Sequence, residues 1–362
     1  MKLSYLYGTR FSDWFKLLRD NGFQVHPRYL HRAALITASS CMISLLGSIE
    51  RFRFRRVVDE TEVETAPLFI LGHWRSGTAY LQNLMSSDRG LATPNVYQTF
   101  SPHTFLSWEK ISSGILTPFL PPTRGFDNMD LHLQAPEEDE FALAIAGSCS
   151  LYLGMMFPRH EAAYRRYLTL ADLAPEELER WKSTFLWFVK KLTCRTRRPL
   201  ILRSPPHTAR VRVLLDLFPQ ARFVHIYRHP WRVFQSCRHF YSYMYQHVAF
   251  LQRPDLTGLD ERIIELHKEM YEAFERDRPL IDPTRYSALR FEDLVADPVG
   301  QMESIYRHFN LPDFSLVRPE LERYLMHVEG YRKNVLPDLS AAEKTRINRE
   351  WMDAYRSWNY PV

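Results

Sequence analysis

Pro67-Leu68-Phe69-Ile70-Leu71-Gly72-His73-Trp74-Arg75-Ser76-Gly77-Thr78 is the stretch on which the fold turns. Residues 67–71 form a short apolar run of strand length that ends in a glycine-containing loop. From Ser76 the apolar spacing changes, and Tyr80, Leu81, Leu84 and Met85 recur as one face of a helix. The order is strand, loop, helix. The two glycines stand at the G-x-x-x-x-G spacing of a phosphate-cradling loop, but the Lys-Ser/Thr pair that should follow is missing. Thr78 takes the lysine position and Ala79 the position of the magnesium ligand, while the positive charge sits earlier, at Arg75. Such a loop still suits an anion, through converging backbone N–H groups, the helix dipole and the Ser76 and Thr78 hydroxyls. The magnesium apparatus of nucleoside triphosphate chemistry is absent from it, so no metal is expected.

Working outward, three more strands are expected at 199–203 (PLILR), 222–227 (RFVHIY) and 286–290 (YSALR). Helices separate them. One opens at Ala174-Pro175-Glu176-Glu177, with proline at its first position and acids in its first turn. Others are expected over 207–218, 231–245 and 261–276. Short apolar strands alternating with helices indicate a parallel sheet covered on both faces, with ligands bound beyond the carboxyl ends of the strands. Three strands end in basic chemistry, at Gly72-His73-Trp74-Arg75, Arg203-Ser204-Pro205 and Arg228-His229-Pro230. Together they imply one polyanionic ligand.

The composition fits this reading. The chain has 362 residues, 45% hydrophobic and 25% charged, with a net charge of +5 and no runs of Lys or Arg. That balance suits an anionic small molecule or a membrane surface and argues little for nucleic acid. Cys41, Cys149, Cys194 and Cys237 lie far apart without metal-ligand spacing, which points away from disulfides and toward a reducing, cytoplasmic compartment. Residues 33–49 form an uncharged 17-residue run, short of the roughly 20 apolar residues a membrane span needs. It reads as a buried or interfacial helix with a basic aromatic edge, so peripheral contact with a membrane stays open. Residues 1–60 are expected to be a helical lead-in and 61–362 the main domain, with a core over 67–310 and a C-terminal segment over 311–362. Oligomeric state is not legible.

The third strand leads into Tyr227-Arg228-His229-Pro230-Trp231-Arg232-Val233-Phe234-Gln235-Ser236. Arg228 at the strand end and Ser236 two turns into the helix can both face the sheet edge. With this motif and the HWRSGT loop together, the chain resembles the sulfotransferases that use 3′-phosphoadenosine-5′-phosphosulfate (PAPS), in their bacterial-type branch with a GHWRSGT loop. Arg290-Phe291-Glu292-Asp293-Leu294 and Tyr331-Arg332-Lys333-Asn334 extend the likeness over roughly 67–334. The resemblance implies a P-loop-NTPase-like α/β three-layer sandwich with a helical cap. It implies that Arg75, Ser76, Gly77 and Thr78 hold the 5′-phosphosulfate, and that Arg228 and Ser236, with Arg332 and Lys333, hold the 3′-phosphate. Two departures stand out: Ala79 replaces a second Thr, and Arg203 replaces a Lys, exchanging a point donor for a fork.

Sulfuryl transfer to a hydroxyl or amine needs a general base. Glu137-Glu138-Asp139-Glu140 is the first candidate segment, although acids opening an apolar helix are common for electrostatic reasons alone. Within a helix Glu138 and Glu140 would face about 200° apart, so one at most reaches the sulfuryl group, with Glu138 slightly favoured. His207 and then His103 are the other candidates. His73 is expected either to touch the acceptor or to cap the loop. Phe100, Phe105, Trp108, Phe119, Phe126 and Met129 are expected either to line an apolar cleft for a small or lipid-like acceptor or to form core. Two alternatives are a P-loop kinase, and a PAPS-binding or membrane-peripheral protein of weak activity.

Overall fold

The structure, a computed structural model, describes residues 4–247, 250–331 and 334–361. The chain opens with helices α1 (Phe11–Asp20) and α2 (Leu30–Glu60), and then enters a sheet at β1 (Leu68–Leu71). Strands β2 (Ile201–Arg203), β3 (Arg222–Tyr227) and β4 (Tyr286–Arg290) complete it in the order β2-β1-β3-β4. All three pairings are parallel, with Leu68 opposite both Ile201 and Arg222.

Alternation along the strands builds the layers. Phe69 and Leu71 of β1, Leu202 and Phe223 point into one core, where the Pro175–Thr196 helix supplies Trp181, Phe185 and Phe188. Leu68, Ile70, Ile201 and Val224 point into the other, against Leu81, Leu84 and Met85 of α3 (Thr78–Met85) and Met302 and Ile305 of the Pro298–His308 helix. The result is the expected sandwich of helices, parallel sheet and helices. Tyr5, Leu6, Trp14, Leu17 and Ile36 from the first sixty residues join the first of these cores.

The segment between α3 and the Pro175–Thr196 helix folds over the carboxyl ends of the strands. It includes α4 (Val96–Phe100), α5 (Phe105–Leu116) and α6 (Glu140–Ala146). Two expected elements differ. The helix expected over 207–218 is a 3₁₀ turn, Pro205–Ala209, followed by a helix at Val211–Leu217, because adjacent prolines cannot supply interior helical N–H donors. The acidic segment is also corrected: the helix begins only at Glu140, so Glu137 and Glu138 lie in the chain leading to it.

Candidate active site

Beyond β1 the chain turns through conformations that only particular residues tolerate. Gly72 has φ 149°, and a Cβ there would lie 2.4 Å from the Ile226 carbonyl oxygen of β3. Gly77 has φ 107°, and a Cβ would lie 2.2 Å from a carbon of the Phe291 ring. Between them Arg75 itself is left-handed at φ 68°, at a cost of about 1–2 kcal/mol for a residue with a side chain. Ser76 is buried and donates its hydroxyl to the His73 carbonyl at 2.7 Å, which closes the loop. No side chain caps α3, so its first N–H groups remain for a ligand. Gly77, Thr78 and Ala79 line the cavity beside Arg75.

The second cradle stands where β3 runs into the Pro230–His247 helix. Arg228 and Ser236 both face the cavity, and the cradles touch: Arg75 donates Nε–H to Ser236 Oγ at 2.9 Å. Arg228 donates to the Arg75 carbonyl at 3.2 Å and lies 4.4 Å over the Phe291 ring. Burial holds its pKa below the ordinary arginine value despite Glu292, and no carboxylate among the described residues lies within 4 Å of it. An unneutralised, desolvated guanidinium fits a phosphate. Arg332 and Lys333 lie outside the described residues. Tyr331 and Asn334 on either side of them line the same cavity, bonded to the backbone carbonyls of Asp127 and Phe126.

Arg75 has a second partner that the sequence did not indicate. Buried Asp127 sits 3.1 Å from Arg75 Nη1 and also accepts from Arg124 at 2.8 Å. Its turn, Arg124-Gly125-Phe126-Asp127, carries no periodic signal. Phe126 lies 5.4 Å beneath the Arg75 guanidinium, so it stacks on the donor loop while lining the cavity.

Opposite the loop, Glu138 is clasped from two sides. Arg203 Nη1 donates to one of its oxygens and the Tyr152 hydroxyl to the other. Tyr152 in turn accepts from the Trp74 indole at 2.9 Å, which joins the acid to the donor loop. Arg203 is held by Gln82 at 2.7 Å and Glu137 at 3.3 Å. Burial lifts the Glu138 carboxyl above the ordinary glutamate range; Arg203 pulls it down and Glu137 lifts it further. Glu138, Arg203, Tyr152 and Arg75 all line one cavity of about 3050 Å³, several times the volume a drug-sized ligand needs.

The other candidate bases lie elsewhere. Glu140 is fully buried and paired with Arg210 at 2.6 and 3.0 Å, in the core rather than the cavity lining. His207 is fully buried, edge-on to Phe69 with ring centres 5.5 Å apart. Its Nε2 is 2.8 Å from Asp139 Oδ1 but out of hydrogen-bond alignment. His103 is buried beneath α2, against Gly47, and burial holds it well below its ordinary pKa. His73 is pulled down to about 4 by burial and packs on His267, outside the cavity lining. Of the expected cleft residues, Phe100, Trp108, Phe126 and Met129 line the cavity and Phe105 is core; the Phe119 side chain lies outside the described ones.

The chain belongs to the sulfotransferase family, whose profile matches residues 67–315. It is a PAPS-dependent transferase, and the kinase alternative falls with that assignment. A particular relative is omega-hydroxy-beta-dihydromenaquinone-9 sulfotransferase Stf3 of Mycobacterium tuberculosis (strain CDC 1551 / Oshkosh). It is 38% identical over 353 residues, covering 98% of this chain and 90% of that protein, and the Mycobacterium bovis protein of the same name matches equally. Among solved structures, sulfotransferase STF9 from Mycobacterium avium superposes with a TM-score of 0.71 at 18% identity over 96% of both chains. STF1 from Mycobacterium tuberculosis H37Rv superposes at 0.61 and 16% identity, over 96% of this chain and 94% of that one. Both carry the same P-loop-like α/β fold.

Proposed function

We propose that the enzyme moves the sulfuryl group of PAPS onto the terminal hydroxyl of a long apolar acceptor, with Glu138 as general base. The observation that carries this is the chain Trp74–Tyr152–Glu138–Arg203, which sets the half-buried Glu138 carboxylate in the same cavity as the donor loop. In this reading Glu138 takes the acceptor O–H proton as the new O–S bond forms. The S–O bond to the 5′-phosphate breaks in line, and Arg75 with the α3 N-terminus receives the charge left on the phosphate. Tyr152 and Arg203 orient the carboxylate, and Arg228 with Ser236 holds the 3′-phosphate. Asp127 keeps Arg75 over the loop.

A lipid-like acceptor is supported by the cavity walls and by the relatives. Phe100, Trp108, Ile111 and Ile115, with Leu46 and Met42 of α2, are apolar residues lining the same cavity as Glu138. The related Stf3 proteins are named for a hydroxylated menaquinone. The test is transfer of labelled sulfate from PAPS to an ω-hydroxylated menaquinone, with the unhydroxylated quinone and short soluble alcohols alongside. Preference for the hydroxylated quinone by at least tenfold in kcat/KM over the short alcohols is the expected result. Equal or better turnover of short alcohols would overturn the acceptor class.

A further inference from the structure

The outward face of α2 lies outside the donor site. Its inward residues, among them Ile36, Ile43, Gly47 and Glu50, are buried. Glu50, the residue that follows the uncharged run 33–49, is an anchor. Its carboxylate, 2% exposed, accepts from Lys191 Nζ at 2.6 Å and from the Ser107 N–H at 2.7 Å. A helix pinned in this way lies along the α/β body rather than crossing a bilayer.

The opposite face is apolar and open. Leu30, Leu35, Met42, Leu45, Ile49 and Phe52 are all exposed, from 40% at Ile49 to 92% at Phe52. Between them Ala34, Ala38 and Cys41 are exposed as well. From Leu30 to Phe52 this is a strip about 33 Å long. Soluble surfaces rarely leave so continuous an apolar strip without a partner. Beside it α1 contributes exposed Phe11 and Phe15, and is tied to α2 by Trp14 Nε1–H to Thr37 Oγ1 at 2.9 Å.

Two observations say what covers it. The first is charge: His31 and Arg32 stand at one end, and Arg51, Arg53, Arg55 and Arg56 at the other. Arg55 and Arg56 pair with Asp59 and Glu60, but Arg51 and Arg53 have no carboxylate within 4 Å among the described residues. A second copy of the chain would meet like charge in either two-fold orientation, because both ends are basic. An anionic lipid surface meets the opposite charge at both ends. The second observation is continuity. Leu35, Met42 and Leu46 of α2 and exposed Ile111, Ile115 and Leu116 of α5 line the same cavity as Arg75 and Glu138. The cavity therefore opens at this face.

We propose that the outward face of α2 seats on an anionic lipid bilayer and that the acceptor enters the cavity from that leaflet. The seating stands on the surface alone, whereas the route of entry rests on the lipid-acceptor reading above. Flotation of the full chain with vesicles of phosphatidylcholine and phosphatidylglycerol (3:1), against pure phosphatidylcholine, tests the seating. Leu45→Glu with Ile49→Glu is the apolar variant, since neither side chain lines the cavity; Arg51→Glu with Arg53→Glu is the charge variant. The wild-type chain should float with the anionic vesicles, each double variant should partition at least tenfold less, and salt should weaken the wild-type partition. Transfer to a short soluble alcohol should be unchanged in both variants, while transfer to a vesicle-embedded hydroxylated quinone should fall tenfold. Wild-type chain that ignores anionic vesicles would overturn the seating. So would a lipid-independent dimer, seen by sedimentation velocity, that Leu45→Glu with Ile49→Glu dissolves. Vesicle binding lost while transfer to the embedded quinone persists would overturn the route of entry. Vesicle binding intact with no transfer to that quinone would instead remove the acceptor reading and leave the seating standing.

Discussion

Glu138→Gln isolates the proton-transfer step with little else disturbed. The amide keeps the size of the side chain: its oxygen can still accept from Arg203, while its NH2 faces the Tyr152 hydroxyl, which can turn to accept from it. Arg203 keeps a carboxylate, since Glu137 stands 3.3 Å away, and also keeps its bond to Gln82 at 2.7 Å. The fold should therefore survive, and binding of the desulfated nucleotide should change less than twofold. Loss of a general base costs about 10²–10⁴ in rate, or about 3–5 kcal/mol in the barrier. The pH profile gives an independent sign. Burial raises the Glu138 carboxyl above the ordinary glutamate range, and the base works only when ionised. Activity in the wild type should thus rise with pH through a limb lying above that range, and the limb should vanish in Glu138→Gln. The assay is kcat and kcat/KM for sulfate transfer across pH, with thermal shift by the desulfated nucleotide as the binding control. A variant that keeps more than a tenth of the activity with its acidic limb in place would refute the assignment of the base.

Tyr152→Phe removes a hydrogen bond that lowers the Glu138 pKa, so the acidic limb should move to higher pH, with a loss of roughly tenfold in kcat. Arg228→Ala removes a charge-assisted contact of about 1.5–3 kcal/mol, so calorimetry should show the desulfated nucleotide binding about 10–150-fold more weakly. Gly77→Ala combines a left-handed φ of 107° with a Cβ 2.2 Å from the Phe291 ring. It should cost about 1–3 kcal/mol in chemical denaturation and abolish the nucleotide-induced thermal shift. Lys191→Met leaves Glu50 buried and unpaired, and should cost about 3–5 kcal/mol on the same denaturation curve.

The features legible in the sequence are those whose physics is local. Residues 67–78 show their strand, loop and helix because the apolar spacing changes within a dozen positions, and because Gly72 and Gly77 meet backbone demands a side chain cannot. Arg228 and Ser236 belong to the same kind of signal, eight residues apart across one strand end. β1 and β2 were legible because a strand covered on both faces is a short continuous apolar run, whereas the edge strand β4, YSALR, has only Leu289 buried.

The neighbourhood of the donor loop was decided only by the tertiary structure. Asp127 and Tyr152 stand 52 and 78 residues from their partners Arg75 and Trp74, in a segment whose path depends on how it packs over the sheet. Their chemistry arises from proximity and burial, neither of which leaves a spacing to read. The same holds for the acids. As a string the four acids favour Glu138 over Glu140 only slightly, but in the fold Glu140 is taken by Arg210 and Asp139 lies against His207, while Glu137 and Glu138 line the cavity, both beside Arg203. Glu50 makes the point in reverse, since the charge that ends an apolar run is the one that α2 buries against Lys191. The sequence by itself determined the sheet, the two cradles and the kind of ligand they hold, because those are set by backbone geometry and short spacings. Which carboxylate faces the cavity and what holds it were set by packing among distant parts of the chain.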